Sequence, residues 1–229
     1  MDASGRRAVL AAIPLTGTLC AIGGAVDVIA YLLFGRIFIA NMTGNTVLFA
    51  ASILLHDWRD AALRFGILVA FLAGISVAHA GLRKLVSGRE RRGRLVVLAI
   101  EFIVLTVLGM AFPTHAIRVL LLVALAIALG TQNNAFHRIG PIRLNTAFIT
   151  GDLENLGEAI VETEAPGKRR EARLRLAIFL TTWIAYALGA LLGAYGALHF
   201  KDKALWLPAG LVAIAAGIVA RSPSQVLQS

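Results

Sequence analysis

The stretch Asn41-Met42-Thr43-Gly44-Asn45-Thr46 lies inside the apolar run Ile37 to Leu55, which is long enough to enter a membrane. A similar group, Ile149-Thr150-Gly151-Asp152, lies inside the segment Ile142 to Ile160. Glycine permits close approach and unusual dihedral angles, and Asn, Asp and Thr are common caps of helix N-termini. Each stretch therefore predicts a short extended piece, a turn at Thr-Gly and then a half-helix.

The composition around these stretches is that of an integral membrane protein. Hydrophobic residues make up 58% of the 229 and charged residues 15%, with a mean hydropathy of +0.78. A soluble domain has about 45–50% apolar and about 25% charged residues. This hydrophobicity excludes a disordered chain, and a single cysteine, Cys20, excludes a disulfide scaffold. The small number of charges argues against a nucleic-acid-binding face, although the net charge is +9.

Six stretches are apolar enough to cross a bilayer, and most have the roughly 17–25 residues that a spanning helix needs. They are Ala8 to Leu33, Phe65 to Leu82, Leu95 to Phe112, Val119 to Phe136, Leu176 to Phe200 and Ala204 to Ala220. We interpret the two Thr-Gly segments as membrane-embedded elements that do not cross. The bilayer is therefore the first partner that the sequence predicts.

The positions of Lys and Arg support six spans. Basic residues cluster at Arg6-Arg7, at 83–94, at 168–175 and at Arg221. Because Lys and Arg accumulate in cytoplasmic loops, six spans place every cluster and both termini on the cytoplasmic side. A seventh span over Ile37 to Leu55 would move the 83–94 cluster outside. The expected location is the bacterial inner membrane.

The two Thr-Gly segments belong to an internal repeat at an offset of 107 residues. This offset places Met42-Thr43-Gly44-Asn45 on Ile149-Thr150-Gly151-Asp152, and Gly23 to Asp27 on Gly130 to Asn134. One membrane domain, 1–229, thus has two copies, about residues 8–112 and 116–220. Three spans in each copy give them opposite orientations, as in many transporters. The predicted fold is all-α, with two inverted three-helix repeats that each contain a re-entrant extended and half-helix segment.

Polar residues inside the spans define the candidate site. Asp27 is the acid of the first span, and an ionisable residue in a span is a functional hypothesis by default. Helix N-termini at the Thr-Gly segments favour anions. The predicted substrate-binding residues are Asp27, Thr43, Gly44, Asn45, Gln132, Asn133, Asn134, Thr150, Gly151 and Asp152.

Two interpretations of these residues stay open. Asp27 and the amides either line a wet cavity or hydrogen-bond the unwound backbone of the Thr-Gly segments. Asp152 either caps its own helix and occupies the anion site, or binds a proton or cation. Glu101, two turns inside the third span, is expected to reach Arg94 or water in a structural role. Gly189 and Gly193 have the spacing that lets helices approach closely.

The leading functional hypothesis is a secondary transporter or facilitator of a small solute, with an anion as the candidate, at a midplane site between two half-helix N-termini. The alternatives are an ion or small-solute channel and a non-transporting scaffold or sensor partner. No enzyme constellation is recognisable: the sequence lacks Cys/His metal spacing, a phosphate-binding loop and Gly-x-Ser-x-Gly. We expect no cofactor, no metal and no nucleic acid, and a homodimer is compatible with six short spans.

These motifs resemble a known family. Gly24-Ala25-Val26-Asp27, Asn41 to Thr46, Gln132-Asn133, Asn145-Thr146 and Ile149-Thr150-Gly151 are together similar to the YoaK-type family of bacterial inner-membrane proteins, a domain of unknown function. The resemblance covers almost the whole chain and implies an inner-membrane protein of this length without naming a substrate. At the level of architecture, the predicted half-helices are similar to the core of the sulfate, bicarbonate and nucleobase transporters.

Overall fold

The computed structural model of the protein describes residues 3–82, 90–110, 115–139, 142–143, 150–163 and 169–222. Within these ranges it has eight α-helices and one short β-hairpin. The helices are α1 (Ala3–Leu33), α2 (Met42–Leu54), α3 (Trp58–Val77), α4 (Glu90–Gly109), α5 (His115–Ala135), α6 (Thr150–Glu162), α7 (Arg169–Phe200) and α8 (Trp206–Arg221). A π-helical turn (Ala78–Leu82) continues α3, and a 3-10 turn (Lys201–Leu205) joins α7 to α8.

The helical architecture agrees with the predicted all-α class apart from the hairpin. Strands β1 (Arg138–Ile139) and β2 (Ile142–Arg143) pair antiparallel directly after α5. Each is two residues long, and together they form a small two-stranded sheet. The piece 145–149, which was predicted to be extended, lies outside the described residues.

Two long helix pairs form the core of the bundle. Helix α1 packs along α7, and α3 packs along α5. The short helices α2 and α6 pack on α3 and α7 respectively, and α4 packs between α5 and α8. The buried core runs through most of these helices, with Leu19, Ile67, Leu98, Leu125 and Val212 among its members.

Glycines bring the backbones of the two long pairs into contact. A Cβ on Gly24 would overlap the carbonyl oxygen of Tyr186, and one on Gly189 would overlap that of Ala21. The α3–α5 pair has the same arrangement, with Gly74 against the carbonyl oxygen of Ile127 and Gly130 against that of Phe71. Small residues let helices approach in this way inside a membrane. The predicted close approach at Gly189 is therefore confirmed.

Helix ends meet at two opposite ends of the bundle. At the first, the guanidinium of Arg118 lies 5.4 Å from the Phe34 ring centroid and 3.4 Å from the Asp202 carboxylate. Trp206 Nε1 donates to the Gly109 carbonyl there, at 3.4 Å. We call this the Gly35 end, because Gly35, Asp57 and Arg118 line one cavity there.

At the second end, the Arg94 guanidinium lies 5.2 Å from the Phe136 ring centroid, and Arg91 donates to the Ser222 carbonyl. We call this the Arg94 end.

The outer surface of the bundle is apolar. Leu72, Leu120 and Leu191 are each more than 60% exposed on the long helices. Soluble monomers rarely expose large contiguous apolar patches, and a lipid-facing surface requires them. Within the described residues, four helical stretches are long and apolar enough to cross a membrane. They are Leu10–Leu33, Trp58–Ala80, Ile117–Ala135 and Glu171–Arg221, the last of which contains both α7 and α8.

Candidate functional site

A non-helical piece, 37–41, lies in the place of the predicted extended piece and is followed by a short helix. The chain turns at Gly35 (φ 92°) and Arg36 (φ 55°), then runs without helical structure from 37 to 41. Helix α2 begins at Met42, where the Asn41 side chain accepts a 3.0 Å hydrogen bond from the Gly44 N–H. Thr43 and Gly44 therefore lie in the first turn of α2, and the prediction of a turn at this position was wrong, because Asn41 already caps the helix.

Asp27 holds the extended piece through its carboxylate. Oδ1 accepts hydrogen bonds of 2.7 Å from the N–H groups of Ile39 and Ala40, and Oδ2 accepts one of 3.0 Å from Asn41. The Asp27 side chain is buried inside α1. Backbone N–H groups in an irregular buried segment need partners, and one carboxylate supplies three here. Asp27 thus has the backbone-binding role that the sequence left open, and solute binding stays a prediction.

Tyr186 on α7 is a further hydrogen-bond donor to the Asp27 carboxylate. Its hydroxyl donates a 2.6 Å hydrogen bond to Asp27 Oδ2. Sequence analysis missed this residue. The signal that could have found it is a tyrosine deep within a span, since a buried Tyr hydroxyl usually has a hydrogen-bond partner.

Asn45 holds the extended piece from the side of α2. The N–H of Phe38 donates to Asn45 Oδ1 at 2.9 Å, and Asn45 Nδ2 donates to the Phe38 carbonyl at 2.6 Å. The side-chain amide thus pairs with one backbone unit as a neighbouring strand would. Asn45 is fully buried, and the Phe38 ring stacks on Tyr31 with centroids 5.2 Å apart. Asp27 and Asn45 are therefore brought together around 37–41.

Gln132 belongs to a different part of the bundle. With its amide nitrogen turned toward α4, Gln132 donates to both carboxylate oxygens of Glu101, at 3.2 Å for Oε1. Both side chains are fully buried. Of the two expected partners of Glu101, Arg94 lies elsewhere, and contact with water stays a prediction. Glu101 faces α5, whereas the Arg94 guanidinium lies over Phe136.

The other predicted residues are more scattered. Asn133 is buried, Asn134 and Gly151 are half-buried, and Thr43 is exposed. The Asn134 carbonyl lies 2.5 Å from His137 Nδ1. The side chains of Thr150 and Asp152, and the whole of 144–149, lie outside the described residues. In the part of the chain that the structure describes, no group of three His, Cys, Asp or Glu side chains could hold a metal ion.

A cavity of about 860 Å³ opens at the Gly35 end. Apolar residues of α1, α3 and α5 line its floor, and its charged lining residues are Asp57, Arg59, Asp60 and Arg118. Arg118 pairs with Asp202, and Asp60 pairs with Arg64 at 2.9 Å. The cavity thus offers a polar entrance next to the turn that leads into the extended piece.

Comparison with known proteins places the chain among transmembrane proteins. It is 29% identical over 205 residues to UPF0700 transmembrane protein YoaK of Bacillus subtilis (strain 168), covering 86% of this chain and 89% of that protein. No solved structure matches. Together with the apolar surface, this similarity shows that the protein is an integral membrane protein. The model of a family described as "Protein of unknown function (DUF1275)" matches residues 15–218, and the chain belongs to that family.

Proposed function

We propose that this protein is a secondary transporter or facilitator of a small solute. The observation that carries the proposal is an unwound segment, 37–41, held inside the bundle by the buried side chains of Asp27 and Asn45. Irregular backbone at membrane depth occurs only where protein or a water-filled cavity surrounds it, and broken helices of this kind form the binding sites of many transporters.

The depth of the segment supports re-entry into the membrane. Asp27 lies six residues before the end of α1 at Leu33, about 9 Å back along the helix axis. Since Asp27 binds the N–H groups of Ile39 and Ala40, the chain returns from Gly35 to this depth. Helix α2 then leads back to Asp57, which lines the same cavity as Gly35. The segment thus enters and leaves at one end.

The glycine contacts support two related repeats. Gly24 faces the Tyr186 carbonyl and the Ala190 nitrogen, and Gly130 faces the Phe71 carbonyl and the Ile75 nitrogen. In the sequence, Gly130 follows Gly24 by 106 residues. Tyr186 follows Phe71 by 115 residues, and Ala190 follows Ile75 by the same number. The same two separations relate the contact of Gly74 with Ile127 to that of Gly189 with Ala21. The α3–α5 pair is therefore packed like the α1–α7 pair, with α5 in the place of α1 and α3 in the place of α7.

The packing gives a more accurate register for the repeat than the sequence. The offset of 107 pairs Asp27 with Asn134, whereas the packing offset of 106 pairs Asp27 with Asn133. Asn133 is also the more buried of the two amides. We therefore propose Asn133 as the counterpart of Asp27 in the second repeat.

The grouping of helix ends supports six alternating spans. The C-terminal ends of α1, α4 and α7 contact the N-terminal ends of α5 and α8 through Arg118 and Trp206 at the Gly35 end. The N-terminal end of α4 contacts the C-terminal ends of α5 and α8 at the Arg94 end. Long helices that follow one another in the chain thus run in opposite directions, as six crossings require.

The charge distribution sets the proposed orientation. Arg91, Arg94, Arg175 and Arg221 lie toward the Arg94 end. Acidic residues Asp57, Asp60 and Asp202 balance half of the basic charge at the Gly35 end, which comes from Arg36, Arg59, Arg64, Arg118, Lys201 and Lys203. Because cytoplasmic loops carry excess Lys and Arg, the Arg94 end faces the cytoplasm.

One observation favours a second candidate, a non-transporting scaffold or sensor partner. Asp27, Asn45 and Gln132 each have hydrogen-bond partners within the protein. A scaffold needs a polar interior that is satisfied in this way and does not open. A transporter needs the same bonds in one state and an exchange of some of them for solute in another.

A solute screen by thermal shift on the purified protein separates the two candidates. A ligand that binds the native state raises its Tm, by an amount that grows with ligand concentration. For a transporter, we expect at least one class of small solute to raise the Tm of the wild type and not that of an Asn45→Leu variant. A matched control is Thr46→Val, which changes the neighbouring residue on the exposed side of α2.

Uptake of that solute into proteoliposomes completes the test. We expect Asn45→Leu and Asp152→Leu proteins that insert normally to lose uptake, and full uptake by either would contradict the proposed site. Single-channel currents in a planar bilayer would favour a channel. A protein that binds no solute in a broad screen would favour the scaffold.

A further inference from the structure

Glu101 lies in an otherwise apolar row of α4. Leu98, Leu105 and Leu108 occupy the same buried face of the helix, and all are at most 4% exposed. Glu101 itself has no exposed surface. An acid at this position is costly to keep charged, since leucine side chains line the same buried face of the helix.

The facing row on α5 is apolar in the same way. Leu122, Leu125 and Leu129 are buried, and Gln132 follows them on the same face as the residue that meets Glu101. Helix α8 also packs against α4, and its buried side chains include Val212, Ala215 and Val219. Among the described residues, the neutral amide of Gln132 is the polar group that faces the Glu101 carboxyl. The charged residue Arg94 of the same helix is two turns away and lies over Phe136.

Asp27 provides a contrasting environment in the same bundle. Its carboxylate accepts hydrogen bonds from three backbone N–H groups and from the Tyr186 hydroxyl. Four donors stabilise an ionised carboxylate even when it is buried. Glu101 has one amide in place of four donors. The surroundings of Asp27 therefore favour its ionised form, and those of Glu101 favour its neutral form.

We propose that Glu101 is a proton-binding site, in which the neutral acid donates its O–H to the side-chain amide oxygen of Gln132. An amide can present either its oxygen or its nitrogen to the same neighbour after a half-turn. When Glu101 releases its proton to water, the Gln132 nitrogen turns toward the carboxylate and donates to it, in the orientation described above. The site thus takes one proton from water, changes its charge from −1 to 0, and reverses one amide.

The proton site also bears on the proposed transport, and this part of the inference rests on that proposed function. Gln132 precedes Asn133, which we pair with Asp27 as the polar residue of the second repeat. A turn of the Gln132 amide therefore changes the hydrogen bonding of α5, the helix that carries the proposed second half of the candidate site. A proton at Glu101 gives the proposed transporter a coupling ion.

Infrared spectroscopy of the purified protein tests the proton directly and needs no substrate. A protonated carboxylic acid has a C=O stretching band well separated from the bands of a carboxylate. At neutral pH we expect such a band in the wild type, and we expect it to shift when glutamate, but not aspartate, is labelled with ¹³C at the side-chain carboxyl.

Variants assign the band to one residue. We expect Glu101→Gln to lose it, Asp27→Asn to keep it, and Gln132→Leu to move it to higher frequency, because the O–H then has no acceptor. Absence of the glutamate band in the wild type would overturn the proposal, as would its persistence in Glu101→Gln. If Glu101→Gln does not fold, the isotope shift and the effect of Gln132→Leu decide.

The infrared experiment tests the proton site and the solute screen tests transport, so either proposal can fail without the other. A glutamate band without any solute that raises the Tm would support the proton site and count against the transporter. A solute-dependent Tm without the band would support the transporter and overturn the proton site.

Discussion

The hydroxyl of Tyr186 donates a 2.6 Å hydrogen bond to Oδ2 of Asp27, across 159 residues of sequence. Asp27 in turn binds the three backbone N–H groups of Ile39, Ala40 and Asn41. One carboxylate therefore connects α1, the extended piece and α7. A movement of α7 relative to α1 changes the position of the extended piece, which is the coupling that a site between two repeats requires.

The first prediction concerns the Tyr186–Asp27 hydrogen bond. Tyr186→Phe removes the donor and leaves the ring, so we expect the free energy of unfolding to fall by about 1.5–3 kcal/mol, the usual contribution of a hydrogen bond to a charged group. Denaturation of the purified protein in detergent measures this change. Tyr195→Phe is the control, since Tyr195 is 60% exposed and its ring contacts are with His199 and Phe200. Equal stabilities of the two variants would contradict the prediction.

The second prediction concerns the repeated glycine contacts. Gly24→Ala and Gly130→Ala each place a methyl group on a backbone carbonyl oxygen that belongs to a neighbouring helix. Overpacking costs about 1–3 kcal/mol, so both variants should lower the Tm by similar amounts. Gly217→Ala on α8 is the control, because its new methyl group meets nothing within 4 Å. A destabilised Gly24→Ala beside an unaffected Gly130→Ala would argue against equivalent helix pairs.

The third prediction concerns the bridge between Asn45 and Phe38. Asn45→Leu removes both hydrogen bonds to the Phe38 backbone, so the extended piece should open more often. A loss of about 1.4 kcal/mol corresponds to a tenfold faster amide exchange of 37–41. Hydrogen–deuterium exchange with mass spectrometry measures this rate, with Thr46→Val as the control. An unchanged exchange rate in Asn45→Leu would show that Asp27 alone holds the segment.

The fourth prediction concerns the six alternating spans. In a Cys20→Ala background, Trp58→Cys and Lys203→Cys at the Gly35 end should react with a membrane-impermeant maleimide added to intact cells. Arg221→Cys at the Arg94 end should react only after the membrane is opened. Cys20 is fully buried, so its removal leaves no native thiol and little change at the surface. Labelling of position 221 from outside would contradict the proposed orientation.

Much of the first Thr-Gly segment could be predicted from the sequence. An apolar run interrupted by Asn, Thr and Gly has few local solutions, and the structure has a non-helical piece followed by a helix, in the predicted order. The exact start of α2 differed from the prediction because Asn41, two residues before Thr43, caps the helix. Capping depends on which of several polar side chains reaches a free N–H, and this distance is not visible in sequence.

The partners of the buried acids could not be predicted in the same way. Glu101 and Gln132 are separated by 31 residues and meet because the apolar rows of α4 and α5 align in one register. Tyr186 meets Asp27 because Gly24 and Gly189 allow α1 and α7 to approach closely. A shift of one residue in either helix pair would give these acids other neighbours.

The sequence by itself determined that the chain belongs in a membrane and where its apolar helices and polar interruptions lie, because hydropathy and capping act over a few neighbouring residues. Only the tertiary structure decided that Asp27 is held by four donors and Glu101 by one amide. The charge state of a buried acid depends on the donors that packing brings to it, and these come from parts of the chain that are far apart in sequence.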